Sequence, residues 1–264
     1  MRILLHPGFH KTGTSSLQRG ATAQFDTLAP RLQLMLTPDL IEAARVARHY
    51  SERLTQTDLD RFSAEFRRAV ADRDSSDRRP LLISSEVLSG HLPGLRGVKT
   101  YAAAPILARS AVEVLQRYYG PEAQITVWFT TRNPETWLRS LYWQNLRAQR
   151  LTEEFEPFRD RMAPAADHAH IIEEARRCLG AKAEVETARI EDIGPDPLGP
   201  LGEALRRLGV ATDNLAALPQ HNTQPENAAH DFLTLNRSAL GDEALAEAKR
   251  KVLRRYRRAE QSDS

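Results

Sequence analysis

The chain reads as an α/β protein of three layers, with helices on both faces of a central parallel sheet of four or five strands. Three observations predict this. Short apolar runs alternate with stretches of helical periodicity along most of the 264 residues. The strongest run, "QITVWFTT" at 124–131, is rich in β-branched and aromatic residues and passes straight into a helix start at Asn133-Pro134. An apolar fraction of 41% and a charged fraction of 27% suit a globular chain with a sizeable core.

Taken in order, residues 2–6 (RILLH) predict a buried strand. Residues 15–28 predict a helix, with Leu17, Ala21, Phe25 and Leu28 at helical spacing. Ser15 with Gln18 three later resembles a capping box. "LQLML" at 32–36 reads as a second strand, and 39–50 and 56–73 as amphipathic helices. "LLISS" at 81–85 is a third strand that ends at Glu86. Residues 105–118 are helical until Gly120-Pro121 breaks the pattern. After the strand at 124–131 comes a helix to about Arg150, a helix at 168–179, a strand at 183–190 and a helix through Leu208. The tail beyond 240 is helical and basic. There is neither an internal repeat nor a low-complexity linker. The expectation is a single domain over 1–264, with helical elaborations at about 39–73 and 219–264.

Composition narrows the function. The formal charge of +2 is too small to indicate a nucleic-acid partner. Cys178 is the only cysteine, so no disulfide forms within the chain, and it reads as buried filler. The N-terminus enters a strand at once, without a signal-peptide region, and no run is long enough to span a membrane. A cytoplasmic protein without stable membrane insertion is expected. His168, His170, His221 and His230 lack metal-ligand spacing, so no metal is expected.

The stretch His6 to Gln18, "HPGFHKTGTSSLQ", carries the chemistry. A strand-to-helix turn presents free N–H groups and the positive end of a helix dipole, which together favour an anion. Gly8 and Gly13 let the backbone turn and approach. Thr12, Thr14, Ser15 and Ser16 add hydroxyls, and Lys11 adds a full charge. The order is not that of a Walker loop, because the lysine precedes the second glycine and no acidic residue of Walker-B type follows a strand. An ordinary capped helix start is the plain alternative.

"GFHKTGTSSLQ" resembles the 5′-phosphosulfate loop of the PAPS-dependent sulfotransferases, bacterial members especially. The resemblance implies a P-loop NTPase-like sulfotransferase fold, with Lys11, Thr12, Gly13, Thr14, Ser15 and Ser16 holding the 5′-phosphosulfate. PAPS also carries a 3′-phosphate, which needs a second grip. "TTRNPETWLRSLYWQ" at 130–144 offers one. Arg132 ends the strongest strand, and Ser140 lies seven residues beyond Asn133, nearly two helical turns on. A guanidinium binds phosphate in bidentate fashion. This resembles the family's arginine-x-proline motif with its following helix serine. The plain alternatives are a surface ion pair for Arg132 and a solvent-facing Ser140.

Sulfuryl transfer to a hydroxyl or amine needs a base on the acceptor and a charge beside the leaving phosphate. Lys11 supplies the charge. Glu86 ends the third strand, at the sheet edge where open α/β folds bind ligands, and is the candidate base. It reads alternatively as a salt-bridged strand end. His10 and His6 are further candidate bases or satisfied loop histidines, and His91 lies five residues too far along to match the family's basic histidine. Trp137, Tyr142 and Trp143 read as core or as an acceptor pocket. "KRKVLRRYRR" at 249–258 reads as a solvated face or as an attraction for an anionic acceptor. The family's late arginine-lysine-glycine loop is missing; His221-Asn222 and Arg237 are the substitutes on offer. The tyrosine-glutamate pair common after the last strand is replaced by "ARIED". The implied activity is sulfuryl transfer from PAPS to a glycan, lipid or small-molecule acceptor. An ATP-dependent small-molecule kinase and a non-catalytic nucleotide-binding module are the alternatives.

Overall fold

A computed structural model of the chain describes residues 1–218 and 228–262. Its elements are β1 (Arg2–His6), α1 (Thr14–Ala23), α2 (Phe25–Leu28), β2 (Gln33–Leu36), α3 (Ile41–Arg53), α4 (Gln56–Ala71), β3 (Leu81–Ser84), α5 (Ala104–Tyr119), β4 (Gln124–Thr131), α6 (Pro134–Ala148), α7 (Phe155–Met162), α8 (His168–Leu179), β5 (Glu184–Arg189), α9 (Ile190–Ile193), α10 (Gly199–Leu208), α11 (Ala228–Arg237) and α12 (Asp242–Ser262). The five strands form one parallel sheet in the order β2-β3-β1-β4-β5.

Alternation along each strand builds the three layers. Ile3 and Leu5 of β1, Leu81 and Ile83 of β3, and Ile125, Val127 and Phe129 of β4 enter the larger core with α3, α4, α5, α6 and α8. Leu4, Leu82 and Trp128 face the other way, onto Leu17 and Ala21 of α1 and Leu201, Ala204 and Leu205 of α10. The chain leaves β1 towards β2 on one side, whereas β3 crosses over β1 to reach β4 on the other. The carboxyl ends of β3, β1 and β4 therefore flank a switch point, where open sheets bind ligands. His6 pairs in register with Ser84, so the loops after β1 and β3 emerge side by side.

Several expectations change. The helix read over 15–28 is two helices parted at Gln24, whose side-chain amide donates to the Ala216 carbonyl and accepts from the Ala216 amide. Local spacing cannot show that a distant loop claims that side chain. The Ser15/Gln18 capping box does not form: Gly13 is the N-cap, in the left-handed conformation at φ 102°, and no side chain caps α1. The short helix α7 was not anticipated, and Cys178 is half-buried rather than filler. Among the described residues no helix is long and apolar enough to cross a membrane.

Leu5 is fully buried between the sheet and the larger helical layer. Leu5→Ala is expected to cost about 2–5 kcal/mol, read as a lower urea midpoint with an unchanged slope.

Candidate functional site

The loop between β1 and α1 has a backbone few sequences tolerate. Gly8, Lys11 and Gly13 all have positive φ, at 57°, 69° and 102°. A Cβ on Gly8 would fall 2.8 Å from Thr14 Oγ1 and 3.2 Å from His6 Nε2. One on Gly13 would meet Ile190 Cδ1 at 2.6 Å. Only glycine fits either position without displacing a neighbour. Lys11 bears the left-handed conformation with a side chain, at a cost of roughly 1–2 kcal/mol, so other contacts must hold it.

Those contacts come from four donors on the loop's carbonyl oxygens. Ser89 Oγ donates to Gly8 at 2.7 Å, Thr12 Oγ1 to Phe9 at 2.6 Å, Trp137 Nε1 to His10 at 2.8 Å and Arg132 Nη1 to Lys11 at 3.4 Å. With these four carbonyls bound, the acceptor ends of residues 8–11 are all occupied. The first turn of α1 adds N–H groups without intrahelical partners, and no side chain caps them. Thr14 Oγ1 is buried and makes no hydrogen bond. An unpartnered buried hydroxyl costs about 1–3 kcal/mol, so the position is poised for a ligand oxygen.

Charge converges on the same place. Burial first, then Arg147 and Arg132, hold Lys11 below the ordinary lysine range, while Glu86 opposes them. Arg132 is half-buried at the end of β4, its Nε donating to Thr136 Oγ1 at 3.2 Å. Asn133 caps α6 by accepting from the amides of Glu135 and Thr136, and its own amide donates to Glu191. Glu86 opens a turn of 3-10 helix after β3 and accepts from Gln18 Nε2 at 3.2 Å. The would-be capping residue Gln18 thus orients the carboxylate instead.

The sequence candidates divide. Lys11, Gly13, Thr14, Ser15 and Ser16 line the loop and the start of α1, with Arg132 and Glu86 beside it. Thr12 turns its hydroxyl away from the rest: it is fully buried, spent on Phe9 and on Thr130 Oγ1 at 2.7 Å, so the side chain braces the loop from below. Ser140 does not face solvent; it is buried on α6. The His10 amide donates to Tyr101 Oη at 3.0 Å and its Nδ1 lies 3.1 Å from the same hydroxyl, and burial with the charges of His91, Lys11 and Arg48 lowers His10 to about 3. His91 pairs with Glu52. Trp137, Tyr142 and Trp143 are core residues. Arg237 is no substitute for the missing loop, since it is tied to Thr152 and Glu154, and His221-Asn222 lie outside the described residues. The basic tail is not simply solvated. Lys249 is buried and donates to the Leu146 and Gln149 carbonyls at 2.7 Å, and burial lowers it to about 8.

Ser89, Tyr101, Thr130 and Gln18 were missed as site residues. A hydroxyl inside the apolar run "QITVWFTT" was the one local signal, at Thr130. A cavity of about 580 Å³ also opens beside Arg132, between Thr131, Pro134, His168, Ile172 and Thr187; it reaches neither Lys11 nor Glu86. His168 stacks on Phe9 at 4.3 Å, and neither of its ring nitrogens has a partner.

Burial lowers His6 and His10 to about 3 and His168 to about 4, all under the ordinary value of 6.5. Between those limits the unfolded chain takes up protons that the folded one refuses. Stability is therefore full above pH 6.5 and falls as pH drops, by about 1.4 kcal/mol per pH unit for each histidine. Urea midpoints at successive pH values check this, with a shallower slope expected for His168→Phe.

No protein-family model matches the chain, and no curated protein matches it. Among solved structures the chain is similar to a sulfotransferase from Alicyclobacillus acidocaldarius, at 18% sequence identity and a TM-score of 0.46, over 93% of this chain and 94% of that one.

Proposed function

We propose that the protein is a PAPS-dependent sulfotransferase acting on a hydroxyl or amine. One observation carries the reading: Arg132 donates to the carbonyl of Lys11 itself, so two cationic grips adjoin one carbonyl-masked loop with a carboxylate, Glu86, beside it. A nucleotide with an anionic group at each end suits two grips; one with a single phosphate tail needs only the loop. In this reading the 5′-phosphosulfate lies on residues 11–16, with Thr14 Oγ1 gaining the partner it lacks. The 3′-phosphate lies on Arg132, and Ser140 is its proposed second ligand.

The transfer balances as follows. The acceptor oxygen or nitrogen attacks sulfur, and its proton passes to the Glu86 carboxylate. The bond from sulfur to the bridging oxygen breaks, and the electron pair stays on the leaving phosphate. Lys11 and the N-terminus of α1 stabilise that charge as it develops. Gln18, donating to Glu86, keeps the carboxylate aimed at the cleft, and holding the reactants in line supplies much of the rate.

PAP is expected to raise the melting temperature far more than ADP, since ligand at about 100 times its Kd adds roughly 2.7 kcal/mol. Arg132→Met should reduce the PAP shift to that of ADP. Equal shifts in the wild type would favour the kinase reading. Transfer of labelled sulfate from PAPS to a panel of glycans, lipids and phenols tests turnover. Glu86→Gln should abolish transfer and retain the PAP shift; PAP binding with no transfer to any acceptor would favour the non-catalytic module. Lys11→Met should lose the PAP shift while the ligand-free protein melts at or above the wild-type temperature, because the charge removed is one that burial and two arginines oppose.

A further inference from the structure

Beneath the loop runs a chain of buried hydrogen bonds that the proposed reaction does not use. Ser84 Oγ lies 2.9 Å from His6 Nδ1, His6 Nε2 lies 3.2 Å from Thr130 Oγ1, Thr130 Oγ1 lies 2.7 Å from Thr12 Oγ1, and Thr12 Oγ1 donates to the Phe9 carbonyl at 2.6 Å. All four side chains are fully buried. They belong to β3, β1, β4 and the loop, so the chain crosses three adjacent strands at their carboxyl ends.

The direction of every proton follows by elimination. A carbonyl only accepts, so the single proton of Thr12 goes to Phe9. Thr130 must then donate to Thr12, which spends its own proton. His6 Nε2 must therefore donate to Thr130. The ring is neutral, as its burial requires, so Nδ1 accepts and Ser84 donates to it. Hydrogen bonds aligned in this way polarise and strengthen one another.

We propose that His6 is a positioning residue which, as its Nε2–H tautomer, holds the loop in its anion-binding form through Thr130 and Thr12. With the other tautomer, Nε2 would take the proton of Thr130. Thr12 would then have to donate to Thr130 and release the Phe9 carbonyl. A freed carbonyl can rotate towards the anion, where its negative end opposes binding. His6 also sits directly under Gly8, whose absent side chain leaves room for Nε2. The inference rests on reading the loop as the PAPS site.

Two measurements test it. In protein labelled with nitrogen-15 in its histidine rings, His6 should show a protonated Nε2 and an unprotonated Nδ1. Thr130→Val should weaken PAP binding by about tenfold, the scale of one buried hydrogen bond, with kcat at saturating PAPS little changed. Thr130→Ser, which puts the hydroxyl back, should restore most of the affinity, and His6→Gln, which keeps a donor to Thr130, should retain most of it. A merely structural role would lower the melting temperature in Thr130→Val without this split or this rescue. A protonated Nδ1 in the wild type, or unchanged PAP affinity in a folded Thr130→Val, overturns the proposal. Inorganic pyrophosphate separates the two readings. If the wild type binds pyrophosphate but not PAP, only the PAPS reading falls, and the same variants are scored with pyrophosphate. If it binds neither, the loop holds no anion and the positioning role falls too.

Discussion

A loop that receives an anion must first hide its own carbonyl oxygens. Residues 8–11 meet that constraint, which is what the proposed reading of the loop requires. Each peptide carries a donor and an acceptor, and the acceptor ends of four consecutive residues are bound by Ser89, Thr12, Trp137 and Arg132. These donors come from the turn after β3, from the loop itself, from α6 and from the end of β4. Three of the four donors lie outside the loop, so its conformation is held largely by the surrounding fold. The same bonds hold Lys11 in a backbone region that its side chain disfavours.

The site is also arranged against its own ligand-free stability. Lys11 is crowded by Arg147 and Arg132, and Thr14 keeps a buried hydroxyl without a partner. Three buried histidines, His6, His10 and His168, remain neutral at the expense of acid stability. Such costs concentrate where a bound group can relieve them. Charge and hydrogen bonding therefore point to the same few ångströms that the sheet topology selects.

Helix α6 positions two of these donors, Trp137 within it and Arg132 just before it. Fifteen residues give it a length of roughly 22 Å, with Asn133, Arg132 and Trp137 at the loop end. Its far end is pinned by Asn145 to the Pro93 carbonyl, by Gln149 to Gly94 and by buried Lys249 to the Leu146 and Gln149 carbonyls. An element fixed at both ends can hold two donors against a loop within hydrogen-bond tolerance. The basic tail thus has a mechanical role at its first lysine, whatever its exposed arginines meet.

The periodicity of the chain determined much by itself. Short, near-continuous apolar runs in β1, β3 and β4 mark the sheet, because a strand covered on both faces needs apolar side chains at successive positions. Asn133-Pro134 marks the start of α6, because capping is a local interaction. The positive-φ turn at Gly13, the lysine within it and an arginine at the end of β4 were legible, since glycine freedom and cation placement follow from residue order. The tertiary structure decided the rest. It sent Thr12 downwards to Thr130 instead of into the cleft, gave Gln18 to Glu86 instead of to its own helix end, and brought Ser89 onto Gly8 across 81 positions of sequence. A hydroxyl or amide makes whichever hydrogen bond lies within 3 Å or so, and which partner that is depends on strand order and register, quantities that no local window contains.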